Sequence, residues 1–156
     1  MAKTIPDGYH TVTAYLHVKG AADALAYYAK AFGAKERYRL MMGPTVAHAE
    51  FTIGDSIIML AEENEAWGNK SPKTLGGHTG GLCVYVEDCD ATFAQAVAAG
   101  GTVLMPVGDQ FYGDRSGAIL DPFGHKWNIA THKEDVPPTE MQARMEAWMQ
   151  AKAQAQ

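Results

Sequence analysis

T-V-T-A-Y-L-H-V-K-G-A-A-D-A-L-A-Y-Y-A-K-A-F-G, residues 11–33, is the stretch whose reading decides the fold. Its first eight residues alternate. Val12, Ala14, Leu16 and Val18 fall on one face of a strand and Thr11, Thr13, Tyr15 and His17 on the other, because strand side chains point to opposite sides in turn. The period then changes: Leu25, Tyr28, Ala29 and Phe32 recur at i, i+3, i+4 and i+7, the stripe of a helix, and Gly33 stands where a glycine ends one. The same grammar returns at an offset of 68, with Val86 for Val18, Phe93 for Leu25 and Gly101 for Gly33. Leu82, Val84 and Val86 alternate with Cys83 and Tyr85. Asp88 or Asp90 is placed to cap a helix carrying Phe93, Ala96 and Val97, and Gly100-Gly101 ends it.

Three strand candidates follow each strand–helix pair: 35–42, 46–53 and 56–61 in the first half, and 102–107, 115–120 and 126–130 in the second. Gly43-Pro44 and Gly54-Asp55 mark turns between them. The chain therefore reads as βαβββ twice, over about 11–61 and 81–132. A polar, Gly-containing connection over 62–81, with a lone Trp67, is expected to be a linker or lid. One helix cannot cover both faces of a four-stranded sheet, so each module needs a partner. Two modules side by side imply an α+β domain over 1–138, a curved mixed sheet with helices outside and a concave cavity inside. Beyond Pro137-Pro138, Thr139 with Gln142 predicts a capping box, and Met141, Met145, Trp148 and Met149 make the apolar stripe of an amphipathic helix over 139–156.

The composition narrows the function. With 47% hydrophobic and 20% charged residues the chain is globular rather than disordered, and its net charge of −5, without a basic block, argues against nucleic acid. It holds no run long enough for a membrane span and no secretory signal, so a cytoplasmic protein is expected. Cys83 and Cys89 are too few for a disulfide framework.

The paired modules resemble the glyoxalase/bleomycin-resistance (vicinal oxygen chelate) superfamily, and within it the PhnB-like branch. The words that carry the resemblance are Y-L-H-V at 15–18, A-Y-Y-A-K-A-F-G-A at 26–34, H-A-E-F at 48–51, I-G-D-S-I-I-M-L at 53–60, Y-V-E-D at 85–88, D-Q-F-Y-G-D-R at 109–115 and D-P-F-G-H-K-W at 121–127. The resemblance implies a ligand cavity on the concave side and a homodimer, often with cavities built from both chains. In the metal enzymes of the superfamily, His or Glu ligands sit on the first and last strands of each module. The matching positions here are Thr13, Ile58 or Met59, Gly81 and Asn128, which supply no imidazole or carboxylate. No cofactor is therefore expected, with a weakly bound divalent metal as the alternative. A methyltransferase label used in this branch is rejected, because no Gly-rich loop follows a parallel strand to hold S-adenosylmethionine.

The resemblance sets Thr13 and Asn128 toward the cavity, and strand phase adds the remaining candidates. With Thr13 facing inward, Tyr15 joins it, and Cys83, Tyr85 and Asn128 share the corresponding face of the second module. His48 and Glu50, two apart on a strand, are the catalytic candidates: the carboxylate orients the imidazole as a base, or the two form a polar pair on a sheet face. In the loop 109–115, Tyr112 is a donor to an oxyanion, and Arg115 either grips an anion or clips the loop through an aspartate. The readings that follow are a small-molecule binding protein, a lyase-, isomerase- or dioxygenase-like enzyme using His48 and Glu50 with or without a recruited metal, or a dimeric scaffold without a ligand.

Overall fold

A computed structural model describes residues 2–155; Met1 and Gln156, the outer ends of the ranges assigned above, lie outside it. The chain runs β1 (Ala14–Val18), α1 (Ala21–Phe32), β2 (Lys35–Met42), β3 (Thr45–Ile53), β4 (Ser56–Glu62), α2 (Pro72–Leu75), β5 (Gly81–Tyr85), α3 (Cys89–Ala98), β6 (Thr102–Asp109), β7 (Asp114–Leu120), β8 (Lys126–His132) and α4 (Pro138–Gln154). Each module forms its own four-stranded sheet, ordered β1-β4-β3-β2 and β5-β8-β7-β6, with β1–β4 and β5–β8 parallel and the remaining pairs antiparallel. The α+β fold and the duplication are as the sequence predicts. The single curved sheet is not: no ladder joins β1 to β5 among the described residues, and the sheets stay separate.

Side-chain packing joins the modules instead. Helix α1 packs on α3, where the Tyr27 hydroxyl donates to the Ala96 carbonyl (3.1 Å) and the Gln95 amide donates to that of Lys30 (2.6 Å). Tyr28, fully buried, stacks on Phe51 of the first sheet (5.2 Å between centroids) and leans on Trp127 of the second (5.4 Å). Beneath this aromatic layer lies Asp121. Its carboxylate accepts from the Tyr28 hydroxyl (2.7 Å), the Trp127 indole N–H (2.9 Å) and the backbone N–H groups of Phe123 and His125 (2.9 Å each). A buried carboxylate is tolerated because its lone pairs are met.

Local rules explain the element ends. Gly33 takes the left-handed conformation (φ 66°) that closes α1, and the N–H groups of Gly20 and Ala21 at the start of α1 donate to Glu62 at the end of β4 (2.8 and 2.7 Å). Asp88, rather than Asp90, caps α3 by accepting from Ala91 N–H (2.9 Å). Gly117 is required by packing: a Cβ there would sit 2.7 Å from the ring of Phe93 on α3.

Three further expectations are corrected. Residues 11–13 bend instead of extending β1, leaving Val12 86% exposed. The Thr139–Gln142 capping box does not form: Pro137 is the N-cap residue of α4, and Pro138 suits the first turn, where an N–H would lack a partner in any case. The 62–81 connection is no loose linker, since Glu63 accepts from the Ser71 N–H and Thr74 hydroxyl (2.9 Å each) and Asn64 pairs with Asn69. Hydrogen bonding from the Ser71 side chain, then from its backbone N–H and from Thr74, holds the Glu63 carboxyl down at about 2. No helix among the described residues is long and apolar enough to cross a membrane.

Candidate functional site

Sheet register assembles the first half of the site. Tyr15 on β1, Met59 on β4, Glu50 on β3 and Tyr38 on β2 lie abreast on the face turned away from the helices, with His48 one step along β3 from Glu50. Glu50 is only 2% exposed and saturated with donors. Tyr38 donates its hydroxyl to Oε1 (2.7 Å), Arg37 its guanidinium to Oε2 (3.0 Å), and Tyr9 its hydroxyl to the same oxygen. Consecutive residues Arg37 and Tyr38 reach one carboxylate because the β2 register shifts between Glu36 and Tyr38, and such a bulge re-aims side chains. Burial alone would raise the Glu50 carboxyl. Hydrogen bonds from Tyr9, Tyr38 and His48, with the Arg37 charge, outweigh it and hold the group below the usual carboxylate range. The Tyr38 phenol is pushed up to about 12, first by its bond to Glu50.

His48 links Glu50 to Tyr15. Its Nε2 lies 3.5 Å from Glu50 Oε1, and its Nδ1 is 2.9 Å from the Tyr15 hydroxyl. With Nε2–H turned toward the carboxylate, Nδ1 accepts from Tyr15. Strand alternation places His48 and Glu50 together, whereas Tyr9, Arg37 and Tyr38 are site residues that sequence reasoning missed. Their only signal is cross-strand register, together with the path of the N-terminal segment over the sheet, and neither is visible in linear order.

The second half of the site lies on the corresponding face of the other sheet. Cys83, Asn128 and Ala118 are abreast there. Tyr85 donates to Asp114 (3.0 Å), and the Tyr112 hydroxyl sits 3.1 Å from that of Ser116. Burial, and then the charge of Asp114, raise the Cys83 thiol, which makes it a poor nucleophile at neutral pH.

Arg115 does not join this face. It falls on the helix side of β7, in phase with Gly117 and Ile119, and grips Asp90 on α3 through two bonds (2.6 and 2.8 Å) and Asp109 through a third (3.1 Å). Of its two alternatives, the structure favours the clip over the anion grip. Arg115→Ala is expected to lower the thermal unfolding midpoint while leaving ligand affinity unchanged, as calorimetry and titration on one preparation will show.

The edges of β1 and β5 face each other across a seam that holds a cleft of about 570 Å³. Thr13, Ile57 and Ser56 contribute from the first module and Cys83, Val84 and Tyr85 from the second. Thr13, Cys83 and Tyr85 therefore meet here, while His48, Glu50, Tyr112 and Asn128 do not line it. The donor set does not fit a divalent metal. Thr13, Met59, Gly81 and Asn128 offer a hydroxyl, a thioether, no side chain and an amide, and Ile58, the alternative to Met59, is buried in the core. Among the described residues no three His, Cys, Asp or Glu side chains gather to hold an ion.

Known proteins share this architecture. Over 136 residues the chain is 39% identical to the uncharacterised protein Mb0911c of Mycobacterium bovis, an overlap of 84% of this chain and 89% of that one. The structure of the At5g48480 gene product of Arabidopsis thaliana superimposes with a TM-score of 0.64 at 25% identity, covering 78% of this chain and 98% of that one. A Bacillus cereus PhnB protein, also described as a 3-demethylubiquinone-9 3-methyltransferase, superimposes at 0.60 with 24% identity over 78% and 99% of the two chains. The sequence profile of the Glyoxalase/Bleomycin resistance protein/Dioxygenase superfamily matches residues 9–129, spanning both βαβββ modules. The chain belongs to that superfamily.

Proposed function

We propose that this protein binds a small organic molecule in the β1–β5 seam without a resident metal. The cleft carries the reading: about 570 Å³ suits a drug-sized ligand, and its walls are largely apolar with a few polar groups such as Thr13 and Ser56. Screening several hundred aromatic and amphiphilic compounds by native mass spectrometry is expected to find ligands that bind one per chain. Cys83→Trp, which fills the cleft, is expected to abolish their binding. Ligands that bind the tryptophan variant as well as the wild type would refute the assignment. Elemental analysis of the untagged protein is expected to show well under one equivalent of zinc, nickel, manganese or iron.

A second reading is a lyase- or isomerase-like enzyme, and the observation that favours it is the Tyr15–His48–Glu50 chain, in which an anchored imidazole is poised to take the phenolic proton. Turnover of a seam ligand that is lost in His48→Gln would establish it; binding by the wild type without turnover supports the first reading.

The edge strand β2 also suits a second copy of the chain. Tyr38, Leu40, Met41 and Met42 on β2 are 44–57% exposed, and α4 meets its own module chiefly where Trp148 packs on Phe111 (5.6 Å) and Arg144 pairs with Glu134 (2.6 Å). Apolar surface of this extent favours association. Light scattering is expected to show a dimer; a truncation after Pro138 that leaves a folded monomer places α4 in the interface, and one that leaves a less stable dimer places it on its own domain. A monomeric wild type at micromolar concentration would exclude the assembly.

A further inference from the structure

The seam holds a second cleft, of about 430 Å³, at its other end. Its wall combines Lys70, His17, His78 and His125 with the backbone of the glycine-rich turn over 77–81. No carboxylate lines it, although acidic residues outnumber lysines and arginines by 18 to 13 in this chain. Lys70 does meet Glu65 (3.0 Å), but Glu65 is 84% exposed, and such a surface pair yields its cation readily. His125 is fixed at the wall by its Nε2–H, which donates to the His17 carbonyl (3.1 Å). His17 itself has a buried Nε2 with no hydrogen-bond partner, the one such side-chain atom found among the described residues.

The two clefts adjoin. Ala14 and Leu82 line both. We infer that the ligand is an organic anion, its apolar body in the larger cleft and its carboxylate, sulfonate or phosphate in the smaller one beside Lys70, His78 and His125. This inference rests on the seam being the binding site and adds the chemical class of its occupant. Lys70 supplies the charge, and His78 and the turn backbone supply N–H donors around it.

Two dyes with one aryl body separate the claims: 8-anilinonaphthalene-1-sulfonate, which is anionic, and N-phenyl-1-naphthylamine, which lacks the sulfonate. Fluorescence titration of the full chain at low salt is expected to give one sulfonate dye per chain, bound about tenfold more tightly than the neutral dye, the usual worth of a charge-assisted contact. Lys70→Gln with His125→Gln is expected to remove that tenfold preference and leave the neutral dye unchanged. Thr79→Glu, which places a carboxylate in the exposed turn without touching the core, is expected to do the same should the double variant fold poorly. Cys83→Trp is expected to weaken both dyes. Equal binding of the two dyes to wild type, or a preference that survives both the double variant and Thr79→Glu, overturns the anion site while leaving the seam intact. Binding of both dyes that is indifferent to Cys83→Trp overturns the seam assignment itself.

Discussion

Replacing Asp121 by alanine is expected to cost about 4 kcal/mol or more of folding stability, since each buried donor left without an acceptor costs roughly 1–3 kcal/mol. Four donors converge on this 3%-exposed carboxylate, and the Tyr28 hydroxyl and Trp127 indole N–H have no route to water. The bond to Tyr28 also ties the two modules together, so the loss falls on their docking as well as on the turn. Asp121→Asn is the informative control. Its amide keeps one acceptor oxygen for the turn but sets a donor against the Trp127 N–H, so about half the loss should remain. Tyr28→Phe, which removes one donor and its hydroxyl together, should cost about 1 kcal/mol. Urea midpoints at fixed slope measure all three, and an Asp121→Ala loss below about 1 kcal/mol would mean that the aromatic layer alone holds the modules.

Glu50→Gln is expected to be the next most costly change, at about 2 kcal/mol near neutral pH, because a charged acceptor for Tyr9, Tyr38 and Arg37 becomes a neutral amide. Arg37 is 36% exposed and recovers part of its hydration, which limits the loss. The cost should depend on pH with a definite sign. The folded Glu50 carboxyl lies below its ordinary value, so the unfolded chain takes up the proton first as pH falls. The stabilisation is thus complete above the ordinary carboxylate pKa of about 4.3 and is lost as pH drops from there through the folded value. Wild type and Glu50→Gln should therefore converge in acid. A gap between them that stays constant from pH 7 to pH 3 would show that the carboxylate charge contributes nothing. Because Tyr9 is anchored on Glu50, hydrogen exchange over residues 9–13 should also quicken in the variant.

Much of this protein is legible in linear order. Each module can be read from a change of period, two in the strands and 3.6 in the helices, and the duplication from the common offset of Val86, Phe93 and Gly101 from Val18, Leu25 and Gly33; both signals are local and need no knowledge of neighbours. The same alternation places His48 beside Glu50 and Cys83 in phase with Tyr85. Whatever depends on which strands are neighbours was decided only in three dimensions. Whether Arg115 meets a ligand or an aspartate turns on Asp90, 25 residues away on α3, and whether Glu50 is a free base or a saturated anchor turns on Tyr9, 41 residues away. Asp121 looks like an ordinary turn aspartate until Tyr28, 93 residues earlier, arrives against it. The side-by-side sheet fails for the same reason: repeat logic says that two modules must bury each other's exposed faces, but not whether edges or helices do so. Here the aromatic layer of Tyr28, Phe51 and Trp127 joins them through the helices, leaving the β1 and β5 edges apart and the seam between them open.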